Sequence, residues 1–264
     1  HVFRGEEWLP SAPKHILLFE MFGFTPPQYA HLPVILSPTK GKLSKRDGAT
    51  TILEYKKTGY LPEAILNFLA LLGWNPKTDK EFFSLEELVE KFDLSGVNKS
   101  PAIFDIKKLN NFNRHYLSQK APEEIVLLAK SHGLEDVTGG EAKLISRGSQ
   151  DNLREAIESI RLLRQAPQLD KNLLVFRKSS VEATKLGLNE AKKALSQIEQ
   201  WDSDNIQKAL TETVAKNNLQ NGDVFWPIRY ALSGAEKSPS PAELAEAIGQ
   251  DQTILRINEA LKIL

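Results

Sequence analysis

Leu32-Pro33-Val34-Ile35-Leu36-Ser37-Pro38-Thr39-Lys40-Gly41-Lys42-Leu43-Ser44-Lys45-Arg46 joins a short β-type run to a basic loop, and the character of the chain changes across it. Upstream, strand and helix signals alternate. Downstream, the apolar spacing is helical almost throughout. Leu32 to Leu36 reads as a strand feeding directly into a loop at 37–49, where Pro38, Gly41 and Gly48 allow sharp bends. A strand followed by a glycine-flanked loop is a common way to present donors to a phosphate. Lys40, Lys42, Lys45 and Arg46 make this one strongly cationic. Lysine suits the task because a flexible stem carries a compact charge toward charge that develops elsewhere. A solvated surface loop is the alternative reading of such a basic run.

Working outward, Ser11, Pro13 and the spacing of Ile16, Leu17 and Phe19 predict a helix from about Pro13 to Phe22, stopped by Gly23. After the loop, Ile52, Leu53 and Tyr55 share a face. Pro62 opens a helix that runs through Phe68 and Leu72 to Gly73. Ser84-Leu85-Glu86-Glu87 has the form of a capping box. Gly139-Gly140 suggests a linker or loop near 132–141. Helices are expected at about 151–165, 179–198, 203–217, 241–248 and 251–263, with Ser203 and Ser240 near helix starts. No internal repeat is visible. The expected class is mainly α, with a small α/β front end.

A chain of 264 residues with 41% hydrophobic and 26% charged residues is ordinary for a soluble globular protein and long enough for two or more domains. It has no cysteine, which excludes disulfides and cysteine-ligated zinc. The five histidines show no ligand spacing, so no protein-bound metal is expected. No apolar run approaches the ~20 residues that span a bilayer, so no membrane partner is expected. The net charge is zero, yet residues 1–60 carry eight Lys/Arg against five Asp/Glu. A polyanion site would therefore be local, made by placed residues. The chain opens on His1 without an initiator Met, which reads as a portion of a longer protein.

Lys42-Leu43-Ser44-Lys45-Arg46 resembles the KMSKS signature of class I aminoacyl-tRNA synthetases, and with Asp47-Gly48-Ala49 it looks like the form in bacterial-type glutamyl-tRNA synthetases. The flanks are similar to that family too. Upstream stand Val2-Phe3-Arg4-Gly5-Glu6-Glu7-Trp8-Leu9 and Pro13-Lys14-His15-Ile16-Leu17-Leu18. Downstream stand Gly59-Tyr60-Leu61-Pro62-Glu63-Ala64, Asn67-Phe68 and Leu71-Leu72-Gly73-Trp74. The resemblance runs to about residue 117 and fades through 120–220. It returns at Gly222-Asp223-Val224-Phe225-Trp226-Pro227-Ile228-Arg229 and from Ile248 to Leu264.

The resemblance implies roles. Lys42 and Lys45 would be catalytic, and Lys42, Leu43, Ser44, Lys45, Arg46, Glu7 and Trp8 would line the ATP site. Arg4 would grip the carboxylate of glutamate, for which a bidentate guanidinium is suited. An ion pair with Glu6 or Glu7 is the alternative for Arg4, and a core position is the alternative for Trp8. Asn113 and Arg114, beside Asn110, would lie toward the inner side of the tRNA, unless they form a helix cap with solvated charge. Arg229 would read an anticodon base, with Ser238 and Pro239 nearby or simply forming a turn. Arg161 or Arg164 could reject glutamine tRNA.

As the resemblance implies, the domains run 1–50 (edge of a Rossmann-type catalytic domain), 51–140 (stem-contact helices) and 141–264 (anticodon-binding helices). The implied partners are a glutamate-accepting tRNA, L-glutamate and ATP with Mg2+, in a cytoplasmic monomer. The family's His-Ile-Gly-His-type signature does not occur here, so this chain alone is expected to show no glutamylation. Two alternatives stand beside this reading: a glutaminyl-tRNA synthetase relative, which would read anticodons with β-barrels, and a non-catalytic tRNA-binding module.

Overall fold

The computed structural model describes residues 1–41, 43, 51–148 and 150–264. Lys42, Ser44, Lys45 and Arg46, and with them most of the basic loop, lie outside the described residues. The chain divides into two compact units, His1–Tyr116 and Leu117–Leu264. Among the described residues it is mainly helical, with two two-stranded sheets.

The first unit begins with β1 (Val2–Gly5), a 3-10 turn over Glu6–Ser11, α1 (Ala12–Met21) and β2 (Tyr29–Leu32). β1 and β2 pair in parallel with Arg4 opposite His31. A parallel pair needs a long crossover, and the turn plus α1 supplies it. Gly23, at φ +72°, ends α1 in the left-handed region, and the Phe24 N–H reaches back to the Phe19 carbonyl.

The single strand expected over 32–36 is two strands. β2 ends at Leu32, and β3 is Ile35–Leu36. Pro33 has no N–H to continue a ladder, and the Val34 N–H donates instead to Glu6 Oε1 at 3.2 Å. β3 pairs in parallel with β4 (Ala102–Ile103), a partner far away in sequence.

Four helices complete this unit: α2 (Ile52–Thr58), α3 (Pro62–Gly73), α4 (Leu85–Lys91) and α5 (Ile106–Ser118). The Ser84–Glu87 capping box forms as expected. Phe68 meets Phe104 and Phe112 edge to face in the core. Trp74, Phe83 and Leu88 form a second apolar cluster. Between the two clusters, Asn67 is buried, and its Oδ1 accepts from the Phe83 N–H and from the Tyr116 hydroxyl.

The second unit holds α6 (Pro122–Ser131), α7 (Gly139–Arg147), α8 (Leu153–Arg164), α9 (Lys171–Leu174) and α10 (Val181–Leu195). It continues with α11 (Ser203–Lys216), α12 (Asn221–Ser233), α13 (Pro241–Ile248) and α14 (Gln250–Ile263). Gly139-Gly140, expected in a loop, opens α7 behind a Thr138–Glu141 capping box. A Cβ at Gly140 would meet the Glu246 carbonyl oxygen on α13 at 2.2 Å, so the glycine serves a close helix–helix approach. α12 carries no breaker-free helical pattern, because Pro227 stands inside it. Proline cannot bond the carbonyl four residues back. That carbonyl belongs to Asp223, and Gly187 of α10 packs against it so closely that a Cβ there would lie at 2.3 Å.

Three charged clusters tie these helices. Arg164 of α8 grips the buried Glu141 of α7 through Nε at 2.7 Å and Nη2 at 2.8 Å, and also donates to the Glu135 and Asp136 carbonyls. The Glu141 hydrogen bond raises the Arg164 pKa above its ordinary value. Lys143 and Arg147 of α7 both reach the buried Glu246 of α13. Arg256 of α14 is buried and donates to the carbonyls of Leu163, Gln165 and Leu232, at the C-terminal ends of α8 and α12. Desolvation lowers its pKa, while carbonyls at helix C-termini are natural partners for a cation.

Candidate functional site

Arg4 sits on β1, and its side chain is half-buried. Its Nε lies 3.1 Å from His31 Nε2, the cross-strand neighbour on β2, and its Nη1 lies 3.0 Å from His15 Nδ1 on α1. A guanidinium carries donors only, so both imidazole nitrogens accept. Tyr29 lies beneath the cation, 4.8 Å from ring centre to guanidinium carbon, with Trp8 at 5.9 Å. The remaining Nη2 is buried and has no hydrogen-bond partner among the described residues. Among the described residues no carboxylate pairs with Arg4, so the ion pair considered with Glu6 or Glu7 is not formed: Glu6 is used on the Val34 N–H. Glu7 and Trp8 are exposed on the 3-10 turn beside Arg4, and Trp8, at 51% exposure, is not a core residue. An apolar cavity of about 290 Å3, lined by His15, Phe19, Phe22, Phe24 and Tyr29, opens beside this cluster. The arrangement can bind an anionic group at the Nη2 of a cation whose described partners are neutral.

The described ends of the basic loop are well anchored. Ser37 is buried, its N–H bonds the Gly41 carbonyl at 2.8 Å, and its hydroxyl meets the Thr39 hydroxyl at 2.8 Å. Lys40 takes φ +64°, turning the chain. The Leu43 N–H then returns to the Ile35 carbonyl at 3.0 Å. On the far side, Thr51 and Glu54 form the capping box that starts α2.

Asn113 and Arg114 lie on α5 and differ sharply. Asn113 is at 0% exposure, and its Oδ1 accepts the Leu61 N–H at 2.8 Å at the start of α3. Its burial assigns it to holding that helix, and it has no surface to offer a nucleic acid. Arg114 is partly exposed. Asn110 accepts from the Tyr60 hydroxyl at 2.6 Å.

In the second unit the structure brings Arg229, Ser238 and Pro239 together. They line one cavity of about 570 Å3 with Ser233 and Lys237, over an apolar floor that includes Ile160. Arg229 stacks over Trp226 at 4.8 Å and donates to the Glu236 carbonyl at 2.7 Å, and the Ser233 hydroxyl bonds Ser238 at 3.2 Å. A stacked guanidinium at the rim of an apolar cavity suits a planar polar ring. Arg161 donates to the Gly133 carbonyl, and Arg164 is committed to Glu141, so both act within the helical packing.

His15, His31 and Tyr29 were not singled out in the sequence. They stand 11, 27 and 25 residues from Arg4, and only the parallel β1–β2 register and the α1 crossover collect them. Among the described residues no group of three His, Cys, Asp or Glu could hold a metal.

This division of labour between units has counterparts in known proteins. Residues 1–111 match the catalytic domain of class I tRNA synthetases (E and Q), and residues 141–261 match an anticodon-binding domain. The chain thus carries class I tRNA synthetase catalytic-domain sequence in its first part and anticodon-binding sequence in its second. Within that class its relatives are glutamate–tRNA ligases. It is 38% identical to the one from Clostridium novyi, covering 99% of this chain and 56% of that protein, and 40% identical to the one from Flavobacterium johnsoniae, covering 100% and 57%. A crystal structure of a glutamate tRNA ligase from Elizabethkingia meningosepticum, in complex with its amino acid, superposes with a TM-score of 0.80 at 34% identity, covering 100% of this chain and 57% of that one. The glutamate-tRNA synthetase structure from Elizabethkingia anophelis gives 0.76 at 32% identity, covering 99% and 56%. The chain thus spans a little over half the length of the relatives it matches. The glutaminyl alternative anticipated β-barrels in the anticodon region. Among the described residues of 117–264 there is no strand, and that alternative is not favoured.

Proposed function

We propose that this chain works in ATP-dependent attachment of L-glutamate to tRNA. It would supply the glutamate-gripping arginine, the phosphate-handling loop and the anticodon-binding helices. The observation that carries this reading is the buried Nη2 of Arg4, which among the described residues has no hydrogen-bond partner, on a cation that no described carboxylate pairs with. A carboxylate is the ligand such a donor lacks. The amino-acid complex of the Elizabethkingia relative supports the same reading.

In this proposal Arg4 binds the glutamate side chain, with Glu7 and Trp8 bordering the amino acid and ATP. Lys42 and Lys45, with Leu43, Ser44 and Arg46, contact the ATP phosphates, and Mg2+ enters with the triphosphate as substrate. Glutamate is activated as its adenylate and then transferred to tRNA, releasing AMP and pyrophosphate. The three functional segments are 1–50, 51–140 and 141–264. Arg114 faces the tRNA stem, while Arg229, Ser238 and Pro239 take an anticodon base at the α12 cavity. The protein acts as a cytoplasmic monomer. Among the described residues no helix is long and apolar enough to cross a membrane.

Two measurements test this. L-glutamate titrated into the chain should bind in a manner lost in Arg4→Ala. A tRNA band shift should weaken about tenfold in Arg229→Ala, the scale of one arginine–base contact, and persist in Lys45→Ala. Glutamate binding indifferent to Arg4, or tRNA binding indifferent to Arg229, sinks the corresponding half of the proposal.

A further inference from the structure

We infer that His15 and His31 are positioning residues that set the preference of Arg4 for a carboxylate over a carboxamide. They do so by holding the guanidinium with neutral acceptors, so that none of its described hydrogen-bond partners cancels its charge. The inference rests on the reading of Arg4 as the residue that binds the glutamate side chain.

A half-buried arginine is usually fixed by a carboxylate, which satisfies its donors and cancels its charge. Arg4 is fixed differently. Its Nε and Nη1 are taken by His31 Nε2 at 3.1 Å and His15 Nδ1 at 3.0 Å, and its face rests on Tyr29. Because both imidazoles accept, both are neutral, with the proton of His31 on Nδ1 and that of His15 on Nε2. The two rings approach from separate elements, β2 and α1, and fix the plane of the guanidinium. Its Nη2, which has no hydrogen-bond partner among the described residues, is left with a defined direction.

The choice of holder matters for selectivity. If a protein carboxylate held Arg4, the site would be neutral before substrate arrived, and a neutral amide oxygen would suit Nη2 about as well as a carboxylate oxygen. With imidazole holders the site keeps its positive charge. A carboxylate then gains a charge–charge attraction that an amide cannot, and the amide's own N–H donors face a group that has only donors.

The test has two readouts on the full chain. Nitrogen-15 NMR of the histidine rings at mildly alkaline pH should show His31 protonated on Nδ1 and His15 on Nε2. A proton on either nitrogen that faces Arg4 overturns the assignment. The ratio of L-glutamate to L-glutamine affinity is then compared in His31→Glu and His31→Gln, with circular dichroism verifying the fold. His31→Glu should lower the ratio about tenfold or more, the scale of a hydrogen bond to a charged group. His31→Gln keeps a neutral acceptor and should hold the ratio within about threefold. If His31→Glu leaves the ratio unchanged, or both variants reduce it alike, the charge argument fails. Arg4→Ala separates the two levels. Glutamate binding that survives it removes the proposed role of Arg4 itself, whereas binding lost in Arg4→Ala but with an unaltered ratio in His31→Glu removes only the inference about the histidines.

Discussion

The Cβ that Gly140 lacks would fall 2.2 Å from the carbonyl oxygen of Glu246. Two opposing effects meet at this position. In an ordinary helix, replacing glycine with alanine gains up to about 1 kcal/mol through reduced backbone entropy. Here the obstacle is backbone of α13, which cannot swing aside as a side-chain tip would, and such overpacking costs typically about 1–3 kcal/mol. Gly140→Ala should therefore destabilise the protein, read as a lower urea midpoint with an unchanged slope. A raised midpoint would show that α7 and α13 separate at little cost.

Asn113 offers a contrast between burial and contact. Its Oδ1 is the acceptor for the Leu61 N–H, and the side chain is wholly enclosed. Asn113→Ala would leave that buried donor unsatisfied, at about 1–3 kcal/mol. The expected result is a lower melting temperature with tRNA affinity preserved below the transition. Selective loss of tRNA binding at full stability would reverse the assignment.

Glu141 and Arg164 form a pair in which one member is enclosed and the other partly solvated. Removing only the carboxylate charge leaves Arg164 its carbonyl partners at Glu135 and Asp136. Glu141→Gln should thus cost about 1–2 kcal/mol, well below the penalty for a fully buried broken pair. Thermal denaturation of the two single variants and the double variant with Arg164→Met would measure the coupling.

Acid should loosen the first unit around α4. The Glu87 pKa is lowered, first by the hydrogen bond from the Lys80 side chain and then by the Ser84 N–H. Asp93 is lowered by the Ser95 hydroxyl and N–H, and Glu86 by its own backbone and by the Ser84 side chain. A carboxylate with a folded value below its unfolded one stabilises the fold above the ordinary carboxylate range, and that contribution is lost as pH falls through it. Amide exchange in α4 should therefore speed up as pH drops below about 4, relative to a matched peptide. Glu87→Gln should flatten that dependence, and an unaltered profile would exclude Glu87 as its source.

Much of the helical framework was legible because local signals agreed with the tertiary structure. The Ser84 and Ser240 capping boxes open α4 and α13 where expected, and α13 occupies 241–248 as read. The failures share a cause. Gly139-Gly140 is locally loop-like and is made helical by the approach of α13. α12 is absent from the helices expected from local signals; Pro227 and Gly222 are poor helix residues, and burial of Val224, Ile228 and Leu232 overrides them. The strand over 32–36 divides because each half pairs with a different, distant partner. At the site, Arg4, Arg229, Ser238 and Pro239 were named from the sequence, and the last three share a cavity. The histidines that hold Arg4 have no local signature, since an acceptor for a guanidinium can come from anywhere in the chain. Lys42 and Lys45 of the basic loop lie outside the described residues, and their part is a proposal.

Arg256 makes the folding of the second unit a matter of timing. This one buried cation satisfies the last carbonyls of α8 and α12, yet it belongs to α14, more than twenty residues beyond the nearer of them. During synthesis those two helices emerge from the ribosome well before the side chain that locks them. The second unit must wait, loosely packed, for its closing helix, and a nascent chain halted just before α14 would be a substrate for chaperones rather than a folded domain.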